Sequence, residues 1–118
     1  MGTGGAVIAG EGSADMAFEC TVERQGDTVV VTPEGDIDLE TATYVREVLR
    51  RVVTDKTGGR IEVDMHAVTF LDSSGIGMLV AARRAAEVKG ITLRLREPGP
   101  MVRMVLEVAN LDGLLIGA

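Results

Sequence analysis

Apolar and polar residues alternate in several short stretches of the chain, and each such stretch predicts a half-buried strand. Phe18, Cys20 and Val22, for example, would share one side of the first strand. A β-branched run follows after a Gly-containing turn, and we expect Pro33-Glu34-Gly35-Asp36 to end that second strand. The predicted strands span residues 17–24, 28–32, 60–64, 91–95 and 114–116.

Apolar residues recur at helical spacing in three other stretches. The first predicted helix starts at a cap, Asp38 or Thr41, and runs to about residue 54. The second covers residues 76–89 and ends at Gly90, and the third covers about 102–108. Strands that alternate with helices predict an α/β fold, with a mostly parallel sheet that begins in an antiparallel hairpin.

Composition excludes several classes of function. The chain has 118 residues, a formal net charge of -6 and only 3% aromatic residues. A nucleic-acid-binding protein would need a basic face or aromatic stacking platforms, so direct binding of nucleic acid is not expected. No apolar run is long enough to span a membrane.

The N-terminal residues differ from the rest of the chain. Residues 1–15 are rich in glycine and have little periodic pattern, so we expect a flexible tail, followed by one domain over residues 16–118. The apolar run Ala6-Val7-Ile8-Ala9 is too short to predict a structural element by itself. No signal-peptide pattern is present, and Cys20 is the only cysteine, so a cytoplasmic protein is expected.

Candidate chemistry is concentrated at Asp72-Ser73-Ser74-Gly75, between a strand-like segment and the second predicted helix. Backbone N–H groups are unpaired at a helix N-terminus, and the helix dipole there favours negative charge. Such a position suits a phosphate group. Asp and Ser are also routine helix caps, so a purely structural role remains an alternative.

A serine hydrolase is a rival interpretation of this motif. It would need a Gly-x-Ser-x-Gly elbow and a histidine base. Leu71-Asp72 precedes the serines, so the elbow pattern fails. His66, the only histidine, is better explained as a turn residue.

Two other rivals are also weak. Gly75-Ile76-Gly77 has Val80 where a nucleotide fingerprint needs its third glycine. Four aspartates suggest a divalent-metal cluster, but each of them is explained individually as a helix cap or as the end of a strand. Those aspartates are Asp36, Asp38, Asp64 and Asp72.

From about Phe18 to Ile116, the chain resembles the STAS domain, in particular the bacterial anti-sigma factor antagonists. The segment at 61–64, followed by 68–77, is similar to the family's central strand and phosphorylation loop. Supporting similarity lies in 33–38, 90–95, 100–106 and 111–114. Many relatives continue into a final helix, so Leu114, Leu115 and Ile116 are expected to be exposed here.

The resemblance implies a mixed β-sheet with helices packed chiefly on one face, and a switch serine, Ser73, that is phosphorylated. Asp38 matches an acidic position near that switch. The implied partner-binding residues are Asp38, Asp72, Ser73, Ser74, Gly75, Ile76 and Gly77.

The resemblance also implies a function that is not enzymatic. The unphosphorylated protein would bind an anti-sigma factor serine kinase and so release a sigma factor. That kinase would phosphorylate Ser73 with its own ATP, and a serine phosphatase would reverse the step, so this chain needs no cofactor or metal. The oligomeric state stays open. The alternative is a STAS subunit of a lipid-transport or stress-sensing complex, in which the serine is structural.

Overall fold

A computed structural model describes residues 5–9 and 18–116 of the chain. Strands and helices alternate along it in an order close to the predicted one. They are β1 (Gly5–Ala9), β2 (Glu19–Gln25), β3 (Thr28–Ile37), α1 (Leu39–Asp55), β4 (Arg60–Asp64), β5 (Val68–Leu71), α2 (Ser73–Val88), β6 (Thr92–Arg96), α3 (Pro100–Val108) and α4 (Asp112–Leu115). None of these helices combines the length and the apolar character needed to cross a membrane.

The strands form one mixed sheet in the order β1-β2-β3-β4-β6, with β5 also paired to β3. The pairs β1–β2 and β2–β3 are antiparallel, whereas β3–β4, β4–β6 and β3–β5 are parallel. The predicted α/β class, with an antiparallel start and a parallel remainder, is confirmed.

One face of the sheet carries the core. Neighbouring strands place their apolar side chains side by side on that face: Val29, Val31, Ile61, Val63, Leu93 and Leu95. Successive side chains of a strand point to opposite faces, so Val30, Glu62 and Arg94 lie on the other one. Leu49 of α1, Leu79 of α2 and Leu106 of α3 belong to the same core. The helices therefore pack chiefly on one face, as expected.

The predicted end of β3 at residues 33–36 is wrong, because the strand continues to Ile37. Pro33 lies between Val31, the last residue paired with β4, and Gly35, the first paired with β5. A proline is tolerated there because no parallel neighbour is in register to use its missing N–H. Gly35 has a φ of 112° and allows the register shift that follows it.

The predicted C-terminal strand is also wrong. Residues 112–115 form the short helix α4, with Leu115 N–H bonded to the Leu111 carbonyl at 3.0 Å. Leu115 is fully buried and Ile116 is partly buried, so only Leu114 of the three apolar residues is exposed as expected. A short apolar run has the same pattern in a buried strand and in a buried helical turn.

Two strands were missed as separate elements. Within the segment expected to be a flexible tail, Gly5–Ala9 forms β1 and extends the sheet along β2, with Ala6 opposite Val22 and Ile8 opposite Cys20. The predicted domain boundary between residues 15 and 16 lies outside the described residues. Val68–Leu71 forms β5, a strand of its own that pairs with the second half of β3.

Candidate functional site

Two helices begin side by side at one edge of the sheet. The parallel strands β3 and β5 end in register, with Ile37 opposite Leu71, and the Asp72 N–H donates to the Ile37 carbonyl at 3.2 Å. Asp38 follows Ile37 and caps α1, while Asp72 follows Leu71 and caps α2. Neighbouring strands lie only about 4.8 Å apart, so the two carboxylate-bearing residues are neighbours across the sheet edge.

Asp38 caps α1 through a reciprocal set of hydrogen bonds. Its Oδ1 accepts from the Glu40 and Thr41 N–H groups, both at 3.1 Å, and its own N–H donates to Thr41 Oγ1 at 2.8 Å. The hydrogen bonds from the backbone and side chain of Thr41 hold the pKa of Asp38 below its ordinary value. Asp38 is thus an exposed, ionised carboxylate in a constrained position.

Asp72 caps α2 in a similar way. Its Oδ1 accepts from the Ser74 N–H at 2.9 Å and the Gly75 N–H at 3.2 Å, and its carbonyl accepts from the Ile76 N–H at 3.0 Å. The helix therefore begins at Ser73, three residues before the predicted start at Ile76. Asp72 therefore occupies two of the N–H groups that were expected to be free for a phosphate.

The predicted site residues differ in exposure. Asp38, Ser73 and Gly77 are exposed. Asp72, Ser74 and Ile76 are partly buried. A partner could therefore reach all of them, at least in part.

Gly75 is buried and has a different position from the other predicted site residues. A Cβ at Gly75 would meet Leu71 Cδ1 and come within 2.8 Å of Ile37 Cγ2. The absence of a side chain at this position lets α2 approach β3 and β5 closely. Gly75 thereby positions Ser73 at the surface.

His66 is not placed to serve Ser73 as a base. It occupies the turn between β4 and β5, with its Nδ1 2.8 Å from Asp64 Oδ1, and the whole length of β5 separates it from the start of α2. Arg96 Nε also donates to the Asp64 carboxylate, at 3.3 Å. Burial alone would raise the pKa of Asp64, but its hydrogen bonds with His66 and the charges of His66 and Arg96 lower that pKa overall.

The structure also bears on the metal and thiol candidates. Within residues 5–9 and 18–116, no three His, Cys, Asp or Glu side chains are grouped so that they could hold a metal ion. Burial, and then the charge of Glu34, raise the pKa of the Cys20 thiol to about 12. Cys20 is therefore a packed, protonated side chain of the core.

Sequence reasoning missed two exposed apolar residues beside the site. Leu39, the first residue of α1, is 72% exposed, and Phe70 in β5 is 42% exposed. One signal was available for Leu39. It falls outside the stripe of apolar residues that α1 buries, so the helical pattern gives it no place in the core.

The comparisons with known proteins identify the family. A family model described as "Mlab, STAS domain" matches residues 20–117. This chain therefore belongs to the STAS domain family.

Individual relatives agree with this assignment. A STAS-domain containing protein of Pseudomonas aeruginosa is 29% identical over 99 residues, which cover 84% of this chain and 96% of that protein. An anti-sigma F factor antagonist of Lysinibacillus sphaericus is 28% identical over 93 residues, covering 78% of this chain and 79% of the relative.

The fold is also shared with a solved anti-sigma factor antagonist, SpoIIAA. Its unphosphorylated form matches with a TM-score of 0.71 and 24% identity, over 84% of this chain and 87% of SpoIIAA. The phosphorylated Bacillus form matches with a TM-score of 0.65 and the same identity, over 84% and 90%. At this identity, the likeness establishes the fold.

Proposed function

We propose that this protein is an anti-sigma factor antagonist that is switched by phosphorylation of Ser73. The unphosphorylated form binds an anti-sigma factor serine kinase in the cytoplasm and releases a sigma factor. The kinase transfers phosphate from its own ATP to Ser73 and ends the association, and a serine phosphatase resets the switch. This chain acts by binding and not as an enzyme.

One observation carries the proposal: Ser73 is exposed as the first residue of α2, next to two capping aspartates, in a chain related to anti-sigma factor antagonists. A hydroxyl in this position can enter a kinase active site without local unfolding. The absence of a nearby histidine base favours a serine that is modified over one that attacks a substrate.

Phosphorylation would change the surface more than the fold. A phosphate adds about -1.5 to -2 charge and three acceptor oxygens. Asp72 and Asp38 lie close by, and Asp72 already accepts the Ser74 and Gly75 N–H groups. The new charge therefore faces outward, where a bound partner would have to accommodate it.

The experiment is phosphorylation by each anti-sigma factor kinase of the organism that encodes this chain. Intact mass after incubation with ATP should show one added phosphate, and peptide mapping should place it on Ser73. Ser74→Ala should still be modified, whereas Ser73→Ala should not. A phosphate on Ser74 or Thr69, or no modification by any of these kinases, would contradict the proposal.

The second candidate is a STAS subunit of a lipid-transport or stress-sensing complex, with a structural serine. The matching family model describes the STAS domain, which both candidates contain, and this keeps the second candidate in view. Under it, no kinase would modify Ser73, and Ser73→Ala would leave assembly with the other subunits unchanged.

A further inference from the structure

Leu39 is a large apolar side chain that lies mostly outside the core. The other large apolar residues of α1 face the core, but Leu39 is 72% exposed at the first position of the helix. Single exposed leucines are common on protein surfaces and need no explanation by themselves. What sets Leu39 apart is its position directly after Asp38, at the sheet edge where α2 also begins.

Acidic residues lie next to Leu39 in the chain and at the same end of the sheet. We call four of them the acidic rim: Asp36, Asp38, Glu40 and Asp72. The ion pairs found among residues 18–116 involve none of the four. Asp38 and Asp72 accept hydrogen bonds from the helix N-termini that they cap, but no basic side chain within residues 18–116 is paired with the rim. A partner with basic groups would therefore complement it.

We propose that Leu39 is the apolar anchor of the partner contact. It would enter an apolar pocket on the anti-sigma factor kinase whose edge carries Lys or Arg side chains that face the acidic rim. This inference rests on the proposed function and adds the residue that supplies the binding energy. Central apolar anchors surrounded by a polar rim are the usual distribution of energy in protein interfaces.

The same geometry indicates how a phosphate on Ser73 would release the partner. Basic groups that match the acidic rim would attract an additional negative charge, so Coulomb repulsion alone does not explain release. A phosphate on Ser73, at the same end of the sheet as Leu39, would instead have to lose its water when the partner covers this surface, and burying an unpaired charge is costly. Release follows from desolvation and bulk at the centre of the interface.

The test uses the kinase that phosphorylates the wild-type chain, with ADP in place of ATP so that no phosphate is transferred. Calorimetry then compares wild type, Leu39→Ala and Leu39→Met. Leu39→Ala should raise Kd at least about tenfold, as expected for an anchor that loses most of a buried leucine. Leu39→Met keeps an apolar side chain of similar volume and should stay within about threefold of wild type.

Val88→Ala is the matched control. Val88 is 88% exposed in the last turn of α2, about 22 Å along the helix from Ser73, so its loss should leave Kd unchanged. Salt separates the two parts of the surface. The factor by which Leu39→Ala raises Kd should be the same at low and high salt. The factor by which Glu40→Gln raises Kd should become smaller at high salt, because salt screens the charge.

The outcomes distinguish the inference from the proposed function. If a kinase phosphorylates wild type but binds Leu39→Ala with wild-type Kd, Leu39 is not the anchor and the proposed function stands. If Val88→Ala weakens binding as much as Leu39→Ala does, the effect is not specific to Leu39 and the proposed anchor is also wrong. If no kinase binds or phosphorylates the wild-type chain, the proposed function fails and the inference fails with it.

Discussion

At the scale of single residues, two glycines of α2 have different structural roles although they are only two positions apart. Gly75 is buried against Ile37 and Leu71, and a Cβ there has no room. Gly77 is exposed, and a Cβ there would have nothing within 4 Å. The first glycine is required by packing, whereas the second leaves space for a partner.

Alanine substitutions test this difference. Gly75→Ala should lower the free energy of unfolding by about 1–3 kcal/mol, because the added methyl group overpacks the contact between α2 and the strands. Gly77→Ala should leave stability unchanged or raise it by up to about 1 kcal/mol, because alanine is the better helix former. Urea unfolding measures both, and equal effects would contradict the assignment.

Ser73 is the second residue whose substitution is informative. Ser73→Ala should bind the kinase and resist switching off, because the contact loses one small hydroxyl. Ser73→Glu should bind more weakly, because it brings a carboxylate into the contact. Calorimetry against the kinase decides the matter, and a Glu variant with wild-type Kd would argue against a contact at Ser73. A glutamate carries less charge than a phosphate, so the expected loss is partial.

At the scale of elements, the caps of α1 and α2 combine stability with the candidate site. Asp38→Ala should cost about 0.5–2 kcal/mol of stability through the lost cap. It should cost more in partner binding, because Asp38 belongs to the acidic rim. Asp38→Asn keeps a capping side chain and removes the charge, so it should fold like wild type and still bind more weakly. An Asp38→Ala variant that melts earlier but binds normally would show that Asp38 is only a cap.

The turn between β4 and β5 is held by Asp64, which accepts from the His66 N–H at 3.0 Å and from Arg96. Its folded-state pKa is lowered, so its stabilising contribution is full above the unfolded pKa of about 4 and is lost as the pH falls through the folded value. Asp64→Asn should therefore cost roughly 1–3 kcal/mol at neutral pH and progressively less below about pH 4.

Denaturant unfolding as a function of pH measures this effect. Glu87→Gln is the control, since it removes only an exposed ion pair with Arg83 and should change stability little. A cost of Asp64→Asn that did not depend on pH would mean that the charge of the carboxylate is unimportant.

At the scale of the whole molecule, we expect phosphorylation of Ser73 to leave the fold essentially unchanged. A negative charge at the start of α2 gains about 0.3–1 kcal/mol from the helix dipole. Repulsion from Asp72 and Asp38 opposes this gain with comparable size. Circular dichroism should show the same helix content in both forms, and the melting temperatures should differ by only a few degrees. A phosphorylated form that loses helix would mean that the switch works by disrupting the domain.

The sequence by itself determined what depends on neighbouring residues. The bounds of β4 and the buried stripe of α1 follow from local spacing, and the structure agrees with both. Capping chemistry offered Asp38 or Thr41 as the cap of α1, and the structure selects Asp38. The switch motif was found for the same reason, because an Asp-Ser-Ser-Gly sequence at a helix start is a local signal. The helix α2 begins three residues before its predicted start at Ile76, because both Asp72 and the serines can cap a helix.

Only the tertiary structure decided what depends on distant parts of the chain. It continued β3 through Pro33, because that residue lies in a gap between two partner strands. Residues 112–115 form a helix, because this conformation buries Leu115 in the core. Above all, the tertiary structure brought Asp38 next to Asp72. These residues are separated in the chain by α1, β4 and β5, and only the register between parallel strands places them at one edge of the sheet.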